Sequence, residues 1–223
     1  MDQDQHFKHI DAYLAGATLP PNPILQAIAD ASDAAGLVPH AVSPLQAGLL
    51  ALFVRLMGAQ RILEIGSLGG YSAVAMAQAL PPTGSVLTTE IDTRTAQVAL
   101  ENIRAAGYAD QIDLRVGPAL TVLEEQIALK ARFDLIFIDA DKVNHRTYVE
   151  KALSLSLPGT LIIADNVVRG GAVLEEHATE NSVRGVRELM TFVTGLEGVT
   201  MTALQTVGEK GHDGMLLLRV ETA

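Results

Sequence analysis

The sequence predicts a doubly wound α/β fold, a mostly parallel sheet with helices on both faces and an antiparallel hairpin at its C-terminal edge. Three observations carry this. Short β-branched runs alternate with helical patterns through the middle of the chain. Pro/Gly punctuation at Pro81-Pro82-Thr83-Gly84, Ala106-Gly107 and Pro158-Gly159 falls where a helix gives way to the next strand. Finally, Phe133-Asp-Leu-Ile-Phe-Ile-Asp139-Ala-Asp141-Lys142 and Leu161-Ile-Ile-Ala-Asp165-Asn166 are runs of mostly large apolar residues that end abruptly in carboxylates or amides. Buried parallel strands deliver polar groups to the carboxyl edge of a sheet in this way.

The elements follow in order. Residues 1–58 are mostly helical in pattern and broken by Pro20-Pro21-Asn22-Pro23, Pro39 and Pro44, which makes them a cap or dimer arm on a single domain spanning 1–223. Strand Arg61–Ile65 leads through a glycine turn into helix Tyr71–Ala79. Strand Ser85–Glu90 precedes helix Thr93–Ala106, strand Gln111–Val116 precedes helix Ala119–Leu129, and strand Phe133–Ile138 precedes helix His145–Leu155. Strand Thr160–Ala164 is followed, after Gly171, by a mobile-looking stretch to Thr179 and then helix Ser182–Thr194. Strands Thr200–Gln205 and Gly214–Val220 are joined by the loop Thr206–Asp213 with no helix between them, so they pair antiparallel at the sheet edge.

Composition narrows the function. With 223 residues and 48% hydrophobic content the chain can bury one core. A formal charge of −10 removes any general attraction to nucleic acid or to anionic membranes. There is no cysteine, hence no disulfide, zinc thiolate or catalytic thiol; cysteine usage alone leaves the compartment open, and cytoplasm is taken as the default. The N-terminus is acidic, and Arg55 interrupts the most apolar stretch, Gly48–Val54, so neither a secretory signal nor a membrane span is expected.

Neighbouring strands lie about 4.8 Å apart. If the two carboxylate-tipped strands are neighbours, Asp139, Asp165 and Asn166 converge, and three oxygen donors suit a hard divalent cation such as Mg²⁺. Upstream, Glu64-Ile-Gly66-Ser67-Leu68-Gly69-Gly70-Tyr71-Ser72 opens a helix after the first strand. Its glycines let backbone N–H groups approach a ligand. The spacing is not G-x-G-x-x-G, and a carboxylate at Glu64 repels a pyrophosphate but can accept a hydrogen bond from an ammonium group. Glu90, ending the second strand, can accept both ribose hydroxyls. A nucleoside bearing an amino acid satisfies both, and S-adenosylmethionine is such a molecule. Plainer readings compete: a tight βα connection for the glycine turn, a helix or turn cap for Asp165-Asn166, and a surface lysine neutralising Asp139 or Asp141 for Lys142.

Four strings, Leu63–Ser72, Phe133–Lys142, Ile163–Val167 and Gly208–Gly214, resemble the cation-dependent O-methyltransferases of the caffeoyl-CoA and catechol type, in a bacterial-like form. The resemblance runs from about residue 40 to the C-terminus. It implies a Rossmann-like seven-stranded methyltransferase sheet, S-adenosylmethionine, Mg²⁺ or another divalent cation such as Mn²⁺ or Ca²⁺, and methylation of one of two adjacent phenolic hydroxyls. Carried over by position, Glu64, Gly66 and Ser72 would hold the methionine end, Glu90 the ribose and Ala119 the adenine region. Val42 and Ser67 join them as cofactor contacts, with Asp139 and Asp141 touching the cofactor as well. Asp139, Asp165 and Asn166 match the metal ligands, and Lys142 matches the residue that deprotonates the attacking hydroxyl. A homodimer is implied too.

The chain departs from the family pattern in lacking tryptophan, which commonly walls the acceptor pocket, including near Arg169. Arg169 can instead greet an acidic acceptor or serve as a solvated loop charge. His145 stands where relatives carry tyrosine, as a general base or, better, as a helix-start histidine packing at an interface, and Tyr148 reads as core or dimer contact. Two rivals stay open: a different metal-chelating acceptor such as a hydroxylated tyrosine-like precursor, a hydroxamate or a flavonoid, and a binding protein that keeps the cofactor pocket without turnover.

Overall fold

The computed structural model describes residues 3–222. Strands β1 (Arg61–Ile65), β2 (Ser85–Glu90), β3 (Ile112–Val116), β4 (Leu135–Ile138), β5 (Leu161–Asp165), β6 (Val199–Thr206) and β7 (Asp213–Val220) form a seven-stranded sheet in the order β3-β2-β1-β4-β5-β7-β6. The first five are parallel, and β7 inserts antiparallel between β5 and β6. Chain direction across the sheet therefore reverses its winding between β1 and β4, and ligands of open α/β sheets bind outside the strand carboxyl ends at such a switch point.

The central strands are buried on both faces, which is why β4 and, up to Asp165, β5 read as continuous apolar runs. One core cluster joins Ile62, Leu135, Phe137 and Ile163 to the first helices, and the other joins Leu63, Ile136, Ile138 and Ile162 to the opposite layer. Helices α4 (Tyr71–Ala77), α5 (Thr93–Ala105), α6 (Ala119–Ala128), α7 (His145–Ser154) and α8 (Asn181–Val193) fall where the periodicity places them, within a residue or two.

The proline-broken N-terminal segment folds as α1 (Gln3–Thr18), α2 (Pro23–Ala34) and α3 (Pro44–Met57). Each break has its chemistry: Asn22 caps α2 with Pro23 opening it, and Ser43 and Gln46 make a reciprocal capping box on α3, which ends at left-handed Gly58 (φ 62°). Leu25, Ile28, Leu50 and Val54 pack these helices into the core beside α4. Among the described residues no helix is long and apolar enough to cross a membrane.

The stretch after Gly171, expected to be mobile to Thr179, is anchored as far as Glu175. A 3₁₀ helix spans Arg169–Leu174, kinked at Gly170 and Gly171, and the Arg187 guanidinium of α8 donates to the carbonyls of Ala172, Val173 and Glu175.

Candidate active site

At the carboxyl edge, β4 and β5 are direct neighbours, with Ile138 opposite Ala164. Asp139 and Asp165 thereby leave adjacent strand ends beside one cavity of about 1270 Å³, and Asn166 lines it too. Asn166 has φ 61°, a left-handed conformation that asparagine tolerates better than most residues. Asp165 is 2% exposed, and its carboxyl is pushed up from its ordinary value, first by burial and then by the charge of Asp139. A hard cation between the two carboxylates reverses that repulsion, so the donor set fits one. Among the described residues no three His, Cys, Asp or Glu side chains cluster as a metal site. The set here is two carboxylates and one amide.

Lys142 Nζ lies 3.1 Å from Asp139 Oδ1, with the lysine side chain 8% exposed. A buried lysine on a short 3₁₀ helix (Lys142–Asn144) needs a firm seat. Asp141 caps that helix, its Oδ2 accepting from Asn144 N–H at 3.2 Å, while Tyr148 O–H donates to Asp141 Oδ1 at 2.6 Å. From the other side Gly185 of α8 lies against it so closely that a Cβ there would meet the Lys142 carbonyl oxygen at 2.0 Å. Asp141 lines the cavity, but its carboxylate already serves Asn144 and Tyr148. That hydrogen bond, after burial, raises the Tyr148 phenol above its ordinary value.

The glycine turn forms the opposite wall. Gly66 (φ 98°) packs on β4, where a Cβ would meet Asp139 O at 2.1 Å, so this backbone position requires glycine. Glu90 stands at the tip of β2 and lines the cavity, its oxygens accepting from Leu68 N–H at 3.0 Å and Asp92 N–H at 2.9 Å. Val42, Ser67, Ser72 and Ala119 line it as well. Ser67 is 2% exposed, and its Oγ has no hydrogen-bond partner among the described residues. Such a hydroxyl is suited to a bound polar ligand.

Glu64 is placed differently from the expectation of a direct ligand contact. It is fully buried inside β1 and absent from the cavity wall. Its Oε1 accepts from Ser72 O–H at 2.5 Å and its Oε2 from Thr88 O–H at 2.6 Å. Burial pushes the carboxyl up to about 7 against the lowering effect of these two hydroxyls. Its reach to a ligand runs through Ser72, which shares both the carboxylate and the cavity.

His145 is fully buried at the start of α7 and lies outside the cavity lining, so it packs within the chain itself. Burial, then the charges of Lys142 and Arg169, hold it well below its ordinary range, so the imidazole is neutral. Sequence reasoning missed several cavity residues: Lys8 of α1, His40 and Pro39 before α3, Tyr71, and Glu209 and Lys210 between β6 and β7. The two distant segments clasp each other, Asp11 Oδ2 accepting from Glu209 N–H at 2.9 Å and Lys210 Nζ donating to Pro39 O at 3.1 Å. For Thr88 a signal existed, a hydroxyl amid β-branched residues opposite Glu64 in register.

A mostly parallel sheet with a glycine turn, an acidic second-strand tip and a carboxylate-amide cluster around one switch-point cavity has the arrangement of a Rossmann-like enzyme that binds a nucleoside cofactor. A family model described as O-methyltransferase matches residues 20–220, and the chain belongs to that family. It is 42% identical over 219 residues to a catechol O-methyltransferase of Niastella koreensis, covering 98% of this chain and 99% of the relative. Among solved structures, an O-methyltransferase from Bacillus cereus in complex with SAH superposes with TM-score 0.95 at 40% identity, covering 98% of this chain and 100% of that one. One from Streptomyces achromogenes, involved in tomaymycin synthesis and in complex with SAM, gives 0.94 at 38%, covering 99% and 100%.

Proposed function

We propose that this O-methyltransferase transfers the methyl group of S-adenosylmethionine to one hydroxyl of a vicinal-dihydroxy aromatic, with a divalent cation, Mg²⁺ in the first instance, held by Asp139, Asp165 and Asn166. The observation that carries this reading is that these three donors and Lys142 share one cavity with Ser72 and Glu90. The SAH and SAM complexes of relatives at about 40% identity support the cofactor.

When bound, the cation supplies Lewis-acid charge that favours the phenolate form of a chelating acceptor. S-adenosylmethionine supplies an electrophilic sulfonium methyl. The chain does the rest. Lys142 Nζ, as the free amine once Asp139 turns its charge to the cation, would accept the proton of the attacking hydroxyl, a transfer that its place beside Asp139 positions. Glu90 accepts from the ribose hydroxyls with the lone pairs that its backbone contacts leave free. Ser67 and Ser72 orient the amino-acid end, and Val42 and Ala119 give apolar contact. Fixing acceptor oxygen and methyl carbon in line contributes the positioning part of the rate.

The test is Lys142→Ala assayed with a catechol panel. Turnover should fall by about 10²- to 10⁴-fold while calorimetry still records cofactor binding; turnover within threefold of the parent would refute the base assignment. We also infer a homodimer built on α3, where Leu52 and Leu56 are 50% and 73% exposed. Light scattering reads the doubled mass.

A further inference from the structure

Arg169 follows the Asp165-Asn166 pair on the same turn and lines the same cavity. Its backbone is left-handed (φ 56°), and Asp213 holds it there: Asp213 Oδ1 accepts from the N–H groups of Val168 (2.9 Å), Arg169 (3.0 Å) and Gly214 (3.0 Å). The turn is therefore built, not loose. The guanidinium is another matter. Nη1 lies 3.9 Å from Asp213 Oδ2, an ion-pair distance too long for a hydrogen bond. Nε is buried with no hydrogen-bond partner among the described residues. Its side chain is 33% exposed, so part of a planar, permanently charged donor fork has lost water and gained no acceptor.

Of the other cavity cations, Lys142 is committed to Asp139 and Lys210 to the carbonyl of Pro39, while Lys8 enters from α1 at the far N-terminal end of the chain. Position decides which reactant Arg169 faces. The proposed cofactor contacts Ser67, Ser72 and Glu90 belong to the β1 and β2 side of β4, whereas Arg169 follows β5 and touches β7, on the other side of the sheet order. The group that meets it belongs to the acceptor.

We propose that Arg169 is a specificity-determining residue that binds a carboxylate substituent on the acceptor ring, making the preferred substrate a carboxylated vicinal-dihydroxy aromatic. This rests on the reading above. A guanidinium meets a carboxylate through two parallel N–H···O bonds, which fixes the plane of the ring as well as its charge. Asp213 acts as the brace that aims the fork.

The experiment compares protocatechuate, which carries the carboxylate, with catechol, which does not, in the parent, Arg169→Gln and Arg169→Lys. The readout is the ratio of kcat/KM for the two acceptors, with cofactor affinity measured by calorimetry in each variant. Protocatechuate should be preferred by the parent, the ratio should fall at least tenfold in Arg169→Gln, and Arg169→Lys should recover part of it by keeping charge without the fork. A parent ratio near one, a ratio unchanged in Arg169→Gln, or a loss confined to cofactor affinity would overturn the proposal. Should neither acceptor turn over in the parent, the proposed function fails, and calorimetry of protocatechuate on S-adenosylhomocysteine-loaded protein decides this inference alone. Binding that disappears in Arg169→Gln supports it. Equal binding in parent and variant, or none in the parent, overturns it.

Discussion

Glu64 is a carboxylate buried in the middle of the sheet, and replacing it with glutamine isolates what its ionisation costs. The group is wholly removed from water and has two hydroxyl donors but no cation beside it. Burial therefore dominates, and the carboxyl titrates near 7 in the folded protein against 4.5 for an ordinary glutamate. Between those values the folded state binds a proton that the unfolded state does not, so stability falls as pH rises. The contribution is fully present below about pH 4.5 and is lost as pH climbs through about 7. At about 1.4 kcal/mol per pH unit, the whole effect is about 3 kcal/mol, which for a chain of this length corresponds to about 6–12 °C in Tm. Glu64→Gln keeps the shape and lets one of the Ser72 and Thr88 hydroxyls rotate to accept from the new amide N–H while the other goes on donating to the amide oxygen, and it removes the titration. Urea unfolding of the ligand-free protein at intervals from pH 4.5 to 8.5 checks this. The stability of the parent minus that of Glu64→Gln should decline by about 3 kcal/mol across the range. A difference independent of pH, or one that rises with pH, would refute the argument that burial outweighs the two hydrogen bonds.

Two further predictions concern how the site is seated. Gly185→Ala forces a methyl group into the Lys142 carbonyl; it should displace the 3₁₀ helix, costing about 2–4 kcal/mol of stability and most of the turnover, and parent-like melting and kinetics would contradict the close-packing account. Ser67→Ala removes a buried hydroxyl that has no partner in the described structure. It should leave the ligand-free melting temperature unchanged or slightly raised and weaken S-adenosylmethionine about fivefold to tenfold by calorimetry, the value of about one hydrogen bond; unchanged affinity would remove Ser67 from the cofactor site.

Much of this architecture was legible because the central strands are short and buried on both faces. An apolar run that stops at Asp139 or at Asp165-Asn166 marks both the strand and its carboxyl end, and neighbouring positions in the sheet then bring the donors together. The N-terminal helices were legible from prolines that double as first-turn residues, as Pro23 and Pro44 do. Glu64 was legible as chemically significant but not as withdrawn, because its environment depends on Thr88 across the β1–β2 register and on Ser72 from the next helix. The stretch after Gly171 looked loose because it lacks periodicity; its anchor, Arg187, comes from a later helix. Gly185 and the Asp11–Glu209 clasp depend on packing between segments distant in the chain, which no local pattern encodes.

The measurement that tests the central claim most directly is methyl transfer from S-adenosylmethionine to catechols, run with Mg²⁺, with excess EDTA, and with Mg²⁺ restored, on the parent and on Asp165→Ala. Turnover that EDTA abolishes and Mg²⁺ restores in the parent, and that Asp165→Ala lacks throughout while still binding the cofactor, is the result the site geometry predicts. Turnover that persists in EDTA, or an Asp165→Ala variant as active as the parent, would show that the carboxylate pair at the tips of β4 and β5 does not hold a catalytic cation.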